Sequence, residues 1–232
     1  MGLKVLVVAE ARDGVLKKSS REALGLARKL AEGGGEVAAV LPVQSAGELA
    51  DRLARAGADR IFLAESPHFS GYCPGGFAAA VVKAAEGFAP AVVIVGGTAL
   101  GKDLTPRISA RLDAPAATDV ISVDLDGGKL TALRPAFGGK VQMRVSFKSS
   151  PAVICIRTNV FATLKEAGRS AAVEKLEVEL GERELALRIT GVEKTVGERP
   201  DVAEADIVVS GGRGMKEKEY FKLLEQLAAS LG

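Results

Sequence analysis

The sequence predicts an α/β protein on a doubly wound, mostly parallel sheet, followed by the first strand and helix of a second, Rossmann-like domain. Three observations predict it. Short continuous apolar runs, such as Lys4–Ala9 and Ala91–Val95, read as strands buried on both faces. Between them lie segments with apolar residues at helical spacing, long enough for crossovers. That alternation gives way to hairpin signals after Ala114, and a new strand-then-helix pattern starts at Asp206.

Each element follows from local chemistry. Lys4–Ala9 is a strand that begins directly after the first residues, which leaves no room for a signal or transit peptide. Ser19–Ala31 places Ala23, Leu24, Ala27 and Leu30 on one face; Ser19 or Ser20 can cap it, and Gly33-Gly34-Gly35 ends it. Glu36–Val43 is a strand, Ala46–Ala56 a helix ended by Gly57, and Arg60–Ala64 a third strand. A loop rich in Pro and Gly then leads to a helix over Phe77–Ala85 and a strand over Ala91–Val95. Leu104–Leu112 reads as helix, with Pro106 placed in its first turn, where the missing N–H costs nothing.

Later segments suit antiparallel or edge strands. Thr118–Leu125 is strand-like, and Asp126-Gly127-Gly128 is a hairpin turn. Lys129–Pro135 and Lys140–Phe147 flank a second turn at Gly138-Gly139, and Pro151–Arg157 is an apolar strand. Ala172–Glu179 and Leu185–Val192 alternate apolar and polar residues. Thr195–Asp201 is polar and reads as linker. Asp206–Ser210 starts a new strand, and Glu217–Leu231 is a helix with Tyr220, Leu223, Leu224, Leu227 and Ala228 on one side. One strand and one helix cannot bury their own apolar faces, so this piece either packs on the first domain or is the start of a larger unit.

Composition excludes several classes. A net charge of +2 and 4% aromatics, without Trp, argue against a basic stripe with stacking platforms for nucleic acid. No apolar run approaches the ~20 residues of a membrane span. Cys73 and Cys155 form no metal-ligand spacing and read as reduced thiols of a cytoplasmic protein. His68, the single histidine, leaves no histidine-based metal site; a Cys73–His68 nucleophilic pair sits in what reads as a loop. Asn159 is the only asparagine and glutamines are few, a pattern that a thermophilic source or a GC-rich genome explains.

Two glycine-rich loops could carry chemistry. Gly96–Lys102 matches G-x-x-x-x-G-K, yet Asp103 stands where a phosphate-binding loop has Ser or Thr. An acid there caps a helix and repels phosphate, so a strand-to-helix turn with a capping Asp103 competes with a nucleotide enzyme. Ser210-Gly211-Gly212-Arg213-Gly214 also follows a strand and opens toward a helix. Its glycines let backbone amides approach a pyrophosphate, and Arg213 can add a charge-assisted contact. It is not a dinucleotide fingerprint, because Glu217 stands where the third glycine belongs. The alternative is a tight turn with a solvated arginine. Asp113, Asp119 and Asp124 read as solvated charges.

These residues carry a resemblance. VLVVAE at Val5–Glu10, GGTALGKDLTPRISARL at Gly96–Leu112, DV at Asp119–Val120 and LRPAFGGK at Leu133–Lys140 resemble the alpha subunits of electron transfer flavoproteins. PAVICIRTNVF at Pro151–Phe161 is similar to another stretch of that family, departing at Ile156 and Thr158. IVVSGGRGMK at Ile207–Lys216, followed by FKLLEQLA at Phe221–Ala228, is the most specific match. The resemblance implies an adenine nucleotide alpha-hydrolase-like first domain over 1–194 that pairs with a beta subunit. It further implies a linker over 195–205 and the start of an FAD-binding domain over 206–232. It gives Arg213 a contact with FAD, with Ser210, Gly211, Gly212 and Gly214 shaping the turn, and places most of the flavin site beyond Gly232. The implied function is an electron carrier without catalytic residues or metal. Its beta partner holds AMP, its donors are dehydrogenases such as acyl-CoA dehydrogenases, and its acceptor is a membrane quinone oxidoreductase. A nucleotide enzyme using the Gly96–Lys102 loop, or a cofactor-free docking domain, are the alternatives.

Overall fold

In the computed structural model, the described residues are 2–165, 168–187, 189–191, 202, 205 and 207–231. The chain divides into two compact units, Met1–Val192 and Glu193–Gly232.

The first unit runs β1 (Lys4–Val8), β2 (Ala11–Arg12), β3 (Val15–Leu16), α1 (Lys18–Ala31), β4 (Glu36–Val43), α2 (Leu49–Ala56) and β5 (Arg60–Glu65). It continues with α3 (Pro74–Phe88), β6 (Val92–Gly96), α4 (Ala99–Arg111), β7 (Ala116–Val120), β8 (Ser122–Asp126), β9 (Lys129–Ala136), β10 (Val141–Ser146), β11 (Ala152–Ile156) and β12 (Ala172–Lys175). Seven strands form one sheet in the order β12-β5-β4-β1-β6-β11-β7, and every pairing in it is parallel. β8, β9 and β10 form a separate antiparallel sheet, and β2 and β3 a small hairpin around Asp13-Gly14.

Both faces of the sheet's central strands are covered, which is why β1, β4, β6 and β11 read as apolar runs, whereas the edge strand β12 is exposed. Side chains alternate across each strand. Val5 and Val7 enter the core beneath α1 and α2, together with Leu24, Leu30 and Leu53. Leu6 and Val8 enter the opposite core with Phe77, Val81 and Phe88 of α3 and Leu104 and Ile108 of α4. Each such side chain, removed from water, contributes about 1.5–3 kcal/mol.

Several expectations are corrected. β11 is not an edge or antiparallel strand: it inserts between β6 and β7, and all five of its residues are buried. The strand expected over Thr118–Leu125 is two strands, broken at Ile121, where pairing passes from β11 (at Val120) to β9 (at Ser122); Asp119, at φ 60°, marks an irregularity inside β7. Neither serine caps α1. Lys17 holds the cap position, while the Ser20 hydroxyl accepts from the Glu10 amide at 2.8 Å and donates to the Glu10 carbonyl. α2 begins later, at Leu49, and ends where Gly57 takes φ 123°, a conformation that glycine adopts without strain. α3 begins at Pro74, so Pro74, Gly75 and Gly76 form its first turn rather than a loop.

The larger correction concerns α4. It starts at Ala99 and not at Leu104, which moves Pro106 from the first turn to the helix interior. Thr98 is the cap: its Oγ1 accepts from the Gly101 amide at 3.0 Å. Asp103 therefore lies inside the helix and is not a capping acid. The hairpin at Gly127-Gly128 forms as read, with both glycines at positive φ and Asp126 facing Lys129. β12 is shorter than Ala172–Glu179. Leu185 lies in a turn and no strand covers the described part of 185–192, whose Arg188 and Val192 lie outside the described residues. The linker expected over Thr195–Asp201 also lies outside them.

In the second unit, Ile207–Ser210 carries no strand; Asp206 lies outside the described residues. A strand needs a neighbour to bond, and none is found among the described residues of this unit. Tight 3-10 turns cover Arg213–Met215 and Lys218–Tyr220, and α5 spans Phe221–Leu231, shorter than Glu217–Leu231.

Candidate functional site

The glycine turn of the second unit is built from one run of sequence. Met215 donates its amide to the Gly212 carbonyl at 2.9 Å, Lys216 to Arg213 at 3.1 Å, and Glu217 to Met215 at 2.7 Å. No hydrogen bond among the described residues uses the amides of Gly211, Gly212, Arg213 or Gly214. A Cβ on Gly211 would lie 2.5 Å from Leu224 Cδ1, so a larger residue there would have to displace the Leu224 side chain of α5. Gly212 and Gly214 face open space within 4 Å of where a Cβ would sit. Ser210 and Arg213 are exposed. Unused amides, open approach and a guanidinium are what a pyrophosphate requires, so these residues fit the phosphates of a dinucleotide cofactor.

The Gly96–Asp103 segment is a different object. β6 ends at Gly96 and α4 starts at Ala99, so only Gly97 and Thr98 remain as loop. The Gly101 amide is taken by the Thr98 hydroxyl and the Lys102 amide by the Thr98 carbonyl. Gly101 is buried with a would-be Cβ only 1.8 Å from the Gly96 carbonyl oxygen. A phosphate-binding loop offers free amides around an anion; here the glycines serve close strand-to-helix packing.

Asp103 is held by Arg107, through bonds of 3.0 and 3.2 Å, and accepts the Tyr72 hydroxyl at 2.7 Å. Arg107 first, and Tyr72 second, keep its carboxyl below the usual range. Burial first, then Asp103, push the Tyr72 phenol well above its ordinary value.

Both cysteines are buried. Cys73 donates its thiol to the Glu184 carbonyl at 3.3 Å, and no hydrogen bond joins it to His68 among the described residues. Burial pushes the Cys155 thiol up, away from the reactive thiolate. No group of three or more His, Cys, Asp or Glu could hold a metal among the described residues. No described helix is long and apolar enough to cross a membrane.

Two arrangements escaped the sequence reading. Asp119, on the edge strand β7, is paired as well as partly exposed: Arg157 holds it with two bonds of 2.7 Å. Glu22, 1% exposed, accepts the Asn159 amide at 2.9 and 3.1 Å, tying α1 to the loop after β11. Asn159 takes φ 61°, a conformation asparagine tolerates. The one sequence signal was Arg157 and Asn159 recurring in the resembling stretch.

Comparison with known proteins places the chain. The family model described as "Electron transfer flavoprotein domain" matches residues 5–180, and that described as "Electron transfer flavoprotein FAD-binding domain" matches residues 201–232. The chain belongs to the electron transfer flavoprotein family. Its relatives identify the branch as the alpha subunit. The electron transfer flavoprotein subunit alpha of Bacillus subtilis is 37% identical over 233 residues, covering 100% of this chain and 71% of the relative. That of Mycobacterium leprae is 36% identical, covering 99% and 70%. Protein FixB of Clostridium saccharobutylicum is 35% identical, covering 98% and 69%. The Ser210–Gly214 turn falls inside the FAD-binding match.

Proposed function

We propose that this chain is the alpha subunit of a heterodimeric electron transfer flavoprotein. It carries FAD, takes electrons from dehydrogenases such as acyl-CoA dehydrogenases, and passes them to a membrane quinone oxidoreductase, with no substrate turnover of its own. The observation that carries the reading is the Ser210–Gly214 turn, whose unused amides and exposed arginine lie within the FAD-binding match. When bound, FAD supplies the redox chemistry. The amides of Gly211, Gly212 and Gly214 hold its phosphates, Ser210 and the glycines shape the turn, and Arg213 adds a charge-assisted contact.

Residues 1–194 form the domain that pairs with the beta subunit, 195–205 the linker, and 206–232 the opening of the FAD-binding domain. The beta subunit holds AMP, and the complex works in the cytoplasm. Support for a protein partner comes from β10, an edge strand with exposed Val141 and Met143, and from Phe137 at the hairpin tip, 78% exposed. An open edge with apolar side chains is a surface for another chain.

The test is a visible absorption spectrum of the chain co-expressed with its beta subunit, paired with intact mass. A flavin spectrum that weakens in Arg213→Ala supports the reading. A complex that binds no flavin, or binds it equally in Arg213→Ala, overturns the assigned site.

A further inference from the structure

The carboxyl ends of β6, β11 and β7 enclose a pocket of about 450 Å³, lined by Gly97, Lys102, Asp119, Cys155, Arg157 and Thr158, among others. Open parallel sheets take ligands at this end of their strands. All of its lining residues belong to the first unit, and the glycine turn to the other.

Its electrostatics are unbalanced. Lys102 projects from α4 into the pocket and makes no ion pair among the described residues. Arg157 is shared with Asp119. Arg134, on β9, lies on the same strand face as buried Ala132, and its Nε is buried without a hydrogen-bond partner among the described residues. Arg157 above all, then Lys102 and Arg134, hold the Asp119 carboxyl below the usual range. A buried guanidinium nitrogen without an acceptor calls for an anion or a water to complete it.

We propose that this pocket binds the phosphate group of a small molecule, with Lys102 as its contact and Arg157 shared between ligand and Asp119. Lysine serves as a point charge for phosphate, and arginine as a directional donor. The volume lies in the range of small-ligand pockets and exceeds what a bare ion fills, which favours a phosphate ester.

Calorimetric titration of inorganic phosphate into the full chain at low salt tests the assignment. Lys102→Met, at an exposed helix position, weakens binding by about 10-fold, as expected for loss of a charged contact. Asp119→Asn removes the competing carboxylate and strengthens binding about 3-fold or more; asparagine suits the φ of 60° there. Ribose 5-phosphate competing at lower concentration than phosphate assigns the pocket to an ester, and equal concentrations to the free ion; both support the site. Phosphate binding that is absent, that is unchanged in Lys102→Met, or that disappears only with Arg213→Ala overturns it.

Discussion

Thr98 joins two loops at the point where the strand order reverses. Its hydroxyl donates to the Glu10 carboxylate at 2.6 Å and accepts from the Gly101 amide at 3.0 Å. Glu10 follows β1, Thr98 follows β6, and these two strands are neighbours. One hydroxyl thus caps a helix and bridges the sheet's switch point. Thr98→Val removes both bonds and is expected to lower unfolding free energy by about 1–2 kcal/mol in urea. Thr98→Ser retains most of it.

Tyr72 is bonded to Asp103 and half-withdrawn from water, and its phenol is raised by both. The chain has two tyrosines. In a Tyr220→Phe variant the ultraviolet signal of phenolate formation comes from Tyr72 alone. It should stay silent through the ordinary tyrosine range near about 10 and rise only as the protein unfolds. A normal titration in the folded protein would show that the Tyr72–Asp103 bond does not form.

The Asp119–Arg157 pair has a defined pH signature. Its carboxyl is depressed, chiefly by Arg157. The stability it contributes is therefore present above the unfolded carboxyl value of about 4 and is lost as pH falls through the lower folded value. Both side chains are more than a third exposed, so the contribution at neutral pH is below about 1 kcal/mol. Asp119→Asn should be slightly less stable than wild type at pH 7, and melting curves of the two should converge in acid.

Two glycines in helices should behave in opposite ways. Gly101→Ala would press a methyl against the Gly96 carbonyl, and backbone there cannot yield cheaply. A loss of about 3 kcal/mol or more is expected, or no folding. Gly87 in α3 has nothing within 4 Å of a would-be Cβ, so Gly87→Ala should raise stability by about 0.4–1 kcal/mol. Thermal melts of the pair measure the contrast.

The sequence made some of this legible and hid the rest for definable reasons. β1, β4, β5 and β6 were readable because strands buried on both faces are short, β-branched runs. The hairpin at Gly127-Gly128 was readable because that turn demands positive φ. The start of α4 was misread because glycine and lysine at positions 101 and 102 look like loop, and because Pro106 is tolerated inside the helix. The position of β11 was invisible: an apolar run tells that a strand is buried, not between which neighbours. In the second unit the Ser210–Gly214 turn stood out because its glycines flank an arginine directly ahead of a helical pattern. The Lys102, Asp119 and Arg157 group could not be read in advance, since only the pairing of β7 with β11 and the packing of α4 bring it together.

The insertion of β11 also sets an order of events in time. β6 and β7 are made early, yet neither has its final neighbour until Ala152–Ile156 arrives between them, after the β8–β10 excursion. Pairings between such distant segments form slowly, because the intervening chain must first be closed into a loop. A nascent chain that stops short of Ala152 therefore exposes the apolar edge of β6 to whatever strand comes by. Refolding should be limited by this late arrival, and the protein is most prone to aggregate in the interval before it.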